Sequence, residues 1–298
     1  MHKEGQLKIL FVINPVSGGK AKADWEAQIR SFMRDSPHTM EFFLLTGDAD
    51  DSSVAHHIEQ VQPDRVVAVG GDGTVKLLAE LLKERRIPLG ILPAGSANGM
   101  ARELGIPLDV VSALKVVTEG QKKAIDLIRV NDEEICIHLS DLGLNAMLVK
   151  YFEGSAHRGM WGYGKAIFRV LWQKQKIYAA ITTDNGTLRR KAYMIVLANA
   201  RMYGTGANIN PEGDVADGFF EVVVLRKLNL IEILKALFTN RSFKRERIEV
   251  ISTRTVQIRA RKRTYFQVDG EYRGRTREVS AAIMPGALLL MLPQEREV

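Results

Sequence analysis

The chain has 298 residues, 46% of them hydrophobic and 26% charged, which suffices for a large core and excludes a disordered or low-complexity protein. A single cysteine, Cys136, excludes an internal disulfide framework and is typical of a reducing, cytoplasmic environment. No apolar run reaches the ~20 residues needed to span a bilayer, and the first residues lack the layout of a signal peptide. The 42 Lys and Arg exceed the 35 Asp and Glu, giving a net charge of +7 that favours anionic partners.

Residues 1–124 alternate predicted strands with predicted helices. Residues 7–13 form a continuous apolar run, which is typical of a parallel strand buried on both faces. Further strands are predicted at 40–45, 65–69 and 89–92, and helices at 25–32, 54–61, 75–86 and 97–104. This alternation predicts an α/β N-terminal domain with an open, mostly parallel sheet and helices on both sides.

From residue 125 to residue 284 the pattern changes to period-2 segments, with hairpin signals at 131–132 and 184–186. Strands are predicted at 125–130, 135–139, 177–183, 192–199, 219–225, 248–258 and 265–268, and helices at 162–172 and 230–238. The pattern predicts a C-terminal domain that is a mainly antiparallel β-sandwich. Residues 285–298 carry one more predicted strand, at 288–292, which we expect to return to the first domain.

A glycine-rich segment, Gly70-Gly71-Asp72-Gly73-Thr74, stands directly after a predicted buried strand and before a predicted helix. In an α/β sheet, ligands bind beyond the carboxyl ends of the strands. Glycines at that place let the backbone approach a phosphate closely and direct N–H groups at it. Asp72 could orient a metal-bound phosphate, and Thr74 could donate its hydroxyl. The alternative is a tight turn in which Asp72 only caps the helix.

The other predicted strand ends of this domain carry further candidate nucleotide contacts. The first loop is not a Walker A loop, because Lys20 is followed by Ala21 and the glycine spacing is too narrow. In a later loop, Ser96 can donate a hydroxyl to phosphate, whereas Asn98 is either a helix cap or a ligand contact. The candidates outside the glycine-rich segment are Asn14, Ser17, Gly18, Thr46 and Ser96.

Two segments of the β-rich half concentrate carboxylates. Asp269-Gly270-Glu271 offers a candidate base for a reaction that removes a proton from a hydroxyl, and the alternative is an ordinary Asp-Gly hairpin turn. The loop 210–219 contains Asp214 and Asp217 and could hold Mg²⁺ or Ca²⁺ through oxygen ligands, and the alternative is a solvated acidic turn.

Taken together, these residues resemble the diacylglycerol kinase catalytic family, which includes bacterial lipid kinases and sphingosine and ceramide kinases. The glycine-rich signature alone is shared with NAD kinases and, more loosely, with phosphofructokinases, and the later segments narrow the choice. The resemblance covers most of the chain and is carried by Asn14-Pro15 with Ser17-Gly18, residues 70–74, residues 93–98, Asn199 with Tyr203-Gly204, Asp214 with Asp217-Gly218, and residues 269–271.

The resemblance implies a phosphofructokinase- and NAD kinase-like nucleotide domain, a β-sandwich domain for the lipid, and an active site in the cleft between them. It implies ATP as the phosphoryl donor, with contacts from the first loop, Thr46, residues 71–74 and Ser96. It implies transfer of the γ-phosphoryl group to a lipid hydroxyl.

The resemblance also implies the roles of the carboxylates. Glu271, with Asp269 beside it, would accept the proton of the lipid hydroxyl, and Asp72 with Mg²⁺ would position the phosphates. A structural Mg²⁺ would be held by the Asp217 carboxylate with help from two neighbouring residues, Asp214 and Phe219, through backbone carbonyls.

One position departs from the family pattern. Bacterial diacylglycerol kinases usually carry Asn-Asp in the second loop, where this chain reads Asn98-Gly99, so the acidic side chain is missing. The sequence of residues 95–98 is closer to the pattern of sphingosine kinases. A diacylglycerol-like or a sphingosine-like lipid therefore stays open as the substrate.

Two other functions stay open: a NAD kinase, and a non-catalytic nucleotide-binding regulator with the same fold. We expect the lipid to be presented at a membrane surface and no nucleic acid partner, since no zinc-like spacing or RNA-binding signature is found. Peripheral attachment to the inner face of the membrane could use three basic clusters, 189–191, 241–247 and 259–263. For each cluster taken alone, an ordinary solvated surface is an equally good interpretation. A homodimer is compatible with the sequence.

Overall fold

The computed structural model describes residues 5–19, 24–47, 50–153, 175–203, 207–208, 213–227 and 248–294. The chain divides into two compact units, Met1–Ile125 with Gly286–Val298, and Asp126–Pro285. The helices predicted at 162–172 and 230–238 lie outside the described residues. Among the described residues, no helix has both the length and the apolar character needed to cross a membrane.

The first unit is built on parallel strands. Its strands are β1 (Lys8–Ile13), β2 (Thr39–Leu44), β3 (Arg65–Gly70) and β4 (Leu89–Pro93), in the order β4-β3-β1-β2. Its helices are α1 (Trp25–Phe32), α2 (Asp50–Val61), α3 (Asp72–Leu82), α4 (Gly99–Glu103) and α5 (Val110–Glu119). Because β1 and β3 are central strands, almost every residue along them is buried, as the continuous apolar runs predict.

The second unit is built on antiparallel strands around a large apolar core, with a second, smaller buried cluster that includes Val196 and Val223. Its elements are β5 (Gln121–Val130, which begins in the first unit), β6 (Glu134–Cys136), β7 (Leu139–Gly143), α6 (Leu144–Glu153), β8 (Ile177–Thr183), β9 (Gly186–Ala192), β10 (Met194–Ala198), β11 (Met202–Tyr203), β12 (Ala207–Asn208), β13 (Phe220–Leu225), β14 (Ile248–Thr253) and β15 (Thr255–Val268). One row of strands runs β14-β13-β10-β7-β15, and β15 also pairs with β8, which pairs with β9.

The final strand, β16 (Glu271–Leu292), runs from the second unit into the first. It pairs antiparallel with β15, and near its end Leu290 pairs in parallel with Leu89 of β4. The sequence predicts only residues 288–292 as strand. The strand nevertheless continues through Pro285, and Gly286 takes a positive φ of 59° that residues other than glycine rarely adopt.

The strand predicted at 248–258 is wrong in one respect, since it is two strands separated at Arg254. The N–H of Arg254 donates to the Asp184 carboxylate at 2.7 Å, and the Thr253 hydroxyl donates to the carbonyl of Thr255 at 2.8 Å. These two bonds interrupt the strand at this point, so that β14 pairs with β13 while β15 pairs with β8. Six of the described elements go beyond the sequence predictions: α5, β7, α6, β9, β11 and β12.

Candidate functional site

In the first unit, the glycine-rich segment and the loop after β4 pack backbone against backbone. A Cβ atom on Gly95 would lie 2.5 Å from the Cα of Gly71, and one on Gly71 would lie 3.2 Å from the Cα of Gly95. The first separation leaves no room for a side chain on Gly95, and the second makes the contact at Gly71 tight. The two loops, which the sequence analysis treats as separate candidates, therefore form one surface at the carboxyl ends of β3 and β4.

The first loop joins the same surface. The Asn14 side chain donates from Nδ2 to Oγ1 of Thr74 at 3.3 Å, and the N–H of Asn14 donates to the carbonyl of Val69 at 2.9 Å. A Cβ on Gly18, whose φ is +78°, would lie 2.5 Å from the carbonyl oxygen of Ala94. Three predicted loops are thus held together by contacts among their own motif residues.

The Asp72 carboxylate joins two of these loops. Its two oxygens accept hydrogen bonds from the N–H groups of Gly99 and Met100, each at 3.0 Å. Those groups lie in the first turn of α4, so Asp72 caps the helix that follows the other loop, rather than its own helix α3. Gly99, where the family usually has an acidic residue, contributes its backbone N–H to this bond.

Asn98 closes the loop after β4. Its Oδ1 accepts from the N–H of Gly95 at 2.8 Å, and its Nδ2 donates to the carbonyl of Gly95 at 2.9 Å. The residue itself is in the left-handed region, with φ of 49°, which asparagine tolerates better than most residues. Its described contacts are therefore internal to the loop.

The remaining candidates differ in their exposure to solvent. Ser96 is exposed, and Thr46 is exposed at the end of β2, beside β1. A Cβ on Gly73 would meet nothing within 4 Å, and Ser17 is half-buried. The first N–H groups of α3 lie in this segment, so the arrangement can bind an anion such as a phosphate.

In the second unit, Asp269 and Gly270 are the central residues of a two-residue hairpin between β15 and β16, with φ angles of 49° and 85°. The Asp269 carboxylate accepts hydrogen bonds from the backbone N–H groups of three consecutive residues, at 2.9 to 3.2 Å. These residues are Ile137, His138 and Leu139. A carboxylate that accepts this many backbone N–H groups holds the turn in place.

A buried polar network that the sequence analysis missed supports the same turn. Gln267 donates from Nε2 to the Asp141 carboxylate at 2.5 Å, and its Oε1 accepts from the N–H of Gly270 at 2.7 Å. Asp141 also accepts from Asn145 and from the N–H of Ala146, and both Asp141 and Gln267 are buried. The only sequence signal is a polar residue inside an apolar strand, Phe266-Gln267-Val268.

Glu271 differs from Asp269 in its surroundings. Its side chain is 47% exposed and accepts a hydrogen bond at 2.5 Å from Arg273, which also contacts Glu134 at 2.9 Å. Hydrogen bonds that Arg273 donates to Glu134 and to Glu271 raise the pKa of Arg273 above its ordinary value, so this guanidinium stays charged. Of the two carboxylates predicted as bases, Glu271 is the one presented towards solvent.

The predicted metal residues lie in a loop before β13. Asp214 and Asp217 are exposed, and each uses one oxygen to accept a backbone N–H two residues later, from Ala216 and Phe219 respectively. Buried Asp126, which the sequence analysis does not single out, accepts from the N–H of Gly218 at 2.6 Å and fixes the loop.

The donor chemistry of this loop fits Mg²⁺, which takes oxygen ligands and often only one or two carboxylates with water. A group of three or more His, Cys, Asp or Glu side chains suited to a metal is not found among the described residues. Asn199, a motif residue, donates to the carbonyl of Asp126 at 2.8 Å, and its buried Oδ1 has no partner in the described part of the chain. Residues 209–212 and Gly204 lie outside it.

Comparison with known proteins identifies two family models along the chain. Residues 8–130 match the model described as the diacylglycerol kinase catalytic domain. Residues 141–292 match the model described as the YegS C-terminal NAD kinase beta sandwich-like domain. The two matches follow one another in the order of the two units.

Curated relatives match over most of their length. A protein of Chromohalobacter salexigens named "Probable lipid kinase YegS-like" is 27% identical over 273 residues, which cover 88% of this chain and 86% of the relative. A protein of Staphylococcus saprophyticus named "Diacylglycerol kinase" is 27% identical over 237 residues, which cover 77% and 76%. The crystal structure of a diacylglycerol kinase from Bacillus anthracis superposes with a TM-score of 0.74 at 18% identity and covers 96% of this chain and 97% of that one. This likeness confirms the predicted fold class.

Proposed function

This chain belongs to the diacylglycerol kinase catalytic family, and we propose that it transfers the γ-phosphoryl group of ATP to a hydroxyl of a lipid. Membership of the family supports a lipid kinase activity in general. The observation that carries the finer proposal is the joining of three glycine-bearing loops, 14–18, 70–74 and 93–99, into one surface beside the N-terminus of α3. A phosphate chain needs such a surface, because exposed N–H groups replace its hydration only where the backbone can come close.

The first unit, in this proposal, binds the nucleotide. Gly71 and Gly73 contact the phosphates, together with Ser17, Gly18 and Ser96, while Thr46 contacts the rest of the nucleotide. Thr74, predicted as a contact, is buried and supports the loop instead. Asp72 acts as a positioning residue, because both of its oxygens already accept N–H groups of α4. Asn14 holds the Thr74 hydroxyl in place.

The second unit supplies the proton acceptor. Glu271 takes the proton of the lipid hydroxyl as the new O–P bond forms and the bond from the γ-phosphorus to the leaving ADP oxygen breaks. Asp269 holds the turn, since its carboxylate is occupied by three N–H groups. Arg273 orients the Glu271 side chain.

A divalent metal fits the same proposal at two places. Mg²⁺ bound with ATP neutralises charge that develops on the phosphates during transfer. The loop with Asp214, Asp217 and Phe219 would hold a structural Mg²⁺, using the carboxylate of Asp217 and backbone oxygens of the other two. Asp126 keeps that loop in shape through its bond to Gly218.

The test is transfer of labelled γ-phosphate from Mg-ATP to diacylglycerol, monoacylglycerol, sphingosine and ceramide in mixed micelles. We expect one lipid class to be labelled, and Glu271→Gln to lower kcat by roughly 10²- to 10⁴-fold. The conservative variant keeps the size of the side chain and removes the basic oxygen. Labelling of no lipid, with ATP bound, would refute the proposal, and formation of NADP from NAD in the same assay would assign the chain to NAD phosphorylation instead.

A further inference from the structure

The sheet that contains β8, β9 and β15 has one face in the core and one face exposed. Along β8, Ile177, Ala179 and Ile181 are buried, whereas Tyr178 and Thr182 between them are exposed. Along β15 the same alternation continues: Val256, Ile258 and Ala260 are buried in the same core. The side chains that alternate with them, Thr255, Gln257, Arg259 and Arg261, therefore lie on the outer face.

The strand register aligns cations across this outer face. Ala180 of β8 pairs with Arg189 of β9 on one side and with Arg259 of β15 on the other. Tyr178 pairs with Lys191 of β9. Because directly paired residues share a face, the cations stand on neighbouring strands and cover about 10 Å across the sheet. We define Arg189, Lys191, Arg259 and Arg261 as the basic face.

The sequence cluster 189–191 is thus divided by the pleat. Arg190, between Arg189 and Lys191, points to the other side and forms a two-bond ion pair with Glu249, at 2.6 and 2.7 Å. Arg189 and Lys191 stay exposed on the basic face. Position on the strand, and not the basic run itself, decides which cations are available to a partner.

Tyr178 lies among the cations of this face and is affected by their charge. The residue is 48% exposed, and the Lys191 ammonium lies 4.9 Å from the ring centroid. A hydrogen bond from Lys191, followed by the charges of Lys176 and Arg261, lowers the pKa of the Tyr178 hydroxyl. The acidic side chain that contacts this face in the described residues is Glu278, which lies 3.5 Å from Arg259.

The basic face continues along β15 into the hairpin with β16. A cavity of about 480 Å³ is lined there by Arg263, Arg275, Thr276, Arg277 and Glu278. Arg275 is held in place by a hydrogen bond to the carbonyl of Arg263 at 2.9 Å and by stacking 5.0 Å from the Tyr265 ring. Three guanidinium groups and one carboxylate line the cavity, so a net positive charge remains that favours a further anionic group.

We propose that the basic face and the adjoining arginine cavity dock this protein onto an anionic phospholipid bilayer. The cavity alone would suit a single phosphate. The spread of cations over three strands, with an exposed tyrosine among them, matches instead a flat layer of headgroup phosphates, where an amphipathic ring also lies favourably. The choice of a bilayer over other polyanions rests on the proposed lipid substrate. The charge pattern itself is independent of the proposed function.

The experiment compares two triple variants with equal loss of charge. The test variant carries Arg189→Gln, Lys191→Gln and Arg261→Gln. The control carries Arg34→Gln, Arg86→Gln and Lys115→Gln, three exposed cations of the first unit. Both are sedimented with vesicles of phosphatidylcholine containing phosphatidylglycerol, and with vesicles of phosphatidylcholine alone.

We expect the test variant to lose at least tenfold in partitioning onto anionic vesicles, since each near-surface cation contributes roughly fivefold. The control variant should lose less than threefold, and wild-type binding should weaken as salt rises. Equal losses in both variants, or binding to neutral vesicles that matches binding to anionic ones, would overturn the proposal. Inorganic phosphate at constant ionic strength should not compete with the vesicles. Competition would show that the site is the cavity alone and that its ligand is a free anion.

Two further arms separate this inference from its alternatives. Retention of a labelled single-stranded RNA, without binding to anionic vesicles, would reassign the face to nucleic acid and overturn the proposal. Phosphorylation of lipid in detergent micelles should be the same for test variant and wild type, because micelles remove the need for docking. If wild type binds anionic vesicles but phosphorylates no lipid, the proposed function fails and the docking surface stands.

Discussion

The two candidate regions hold their functional groups by opposite means. In the first unit, Gly71 and Gly95 allow two loops to touch through their backbones, and the groups offered to a ligand are N–H groups. In the second unit, a single side chain, Asp269, gathers three backbone N–H groups and fixes the turn that presents Glu271. The first arrangement requires that neither glycine carries a side chain at the contact, and the second requires one carboxylate.

This difference determines what each region tolerates. A surface built from backbone contacts fails when a side-chain atom is added at the contact itself, because the packed backbone there leaves no room for it. A turn built on a half-buried, hydrogen-bonded carboxylate fails when that group is removed, because the backbone N–H groups that it satisfied lose their acceptor. The same substitution to alanine should therefore damage the two regions in different ways.

The largest expected effect is on the second region. Asp269→Ala removes the acceptor of three N–H groups and places alanine at a φ of 49°, so we expect the free energy of unfolding to fall by about 4 kcal/mol. Glu271→Ala, in the same turn, should change stability by less than about 0.5 kcal/mol, because its side chain is half exposed. Urea unfolding followed by circular dichroism measures both. A comparable loss in the two variants would show that Asp269 is not the clamp.

The next effect is on the first region. Gly95→Ala places a Cβ 2.5 Å from the Cα of Gly71 and 2.9 Å from Oδ1 of Asn98, which should cost about 2 kcal/mol and weaken nucleotide binding at least tenfold. The matched control is Gly73→Ala, since a Cβ there meets nothing within 4 Å. It should preserve or slightly raise stability, as alanine favours a helix. Thermal unfolding and ATP titration calorimetry measure the two quantities, and an unchanged Gly95→Ala protein would contradict the backbone contact.

The same contrast explains how much the sequence could predict. The fold class followed from strand and helix periods, and the glycines of the first region could be identified because a buried strand followed by clustered glycines has few other uses. The N–H donors to Asp269 belong to residues 137–139, whose side chains play no part, so no residue type marks them. Asp126 lies 92 residues from Gly218 along the chain, and only the folded unit brings them together.

The sequence also could not show which charged side chains are exposed. The cluster 189–191 is a uniform basic run in the sequence. In β9, however, Arg190 pairs with Glu249, whereas the side chains on either side of it are exposed. The break at Arg254 depends on Asp184, which lies 70 residues away. Side-chain contacts between distant strands, which dominate the second unit, carry no local pattern that a sequence can reveal.

The smallest expected effect tests whether charged pairs between strands contribute to the second unit at all. Glu249 accepts two hydrogen bonds from Arg190 across β14 and β9, and these bonds, with the positive charges of Arg190 and Arg226, lower the pKa of Glu249. A lowered pKa in the folded state means that the pair stabilises the fold above the ordinary glutamate range and that this contribution disappears as pH falls through the lowered pKa.

We therefore expect Glu249→Gln to lose about 1 kcal/mol at pH 7, where a two-bond pair with side chains only about a quarter exposed exceeds an open surface pair. The difference from wild type should shrink steadily as the pH is lowered into the acidic range. Glu26→Gln, which breaks the more exposed Arg30–Glu26 pair on α1, should change stability by less than half as much. Urea midpoints measured across this pH range decide the matter, because a constant difference at every pH would assign the loss to packing and not to charge.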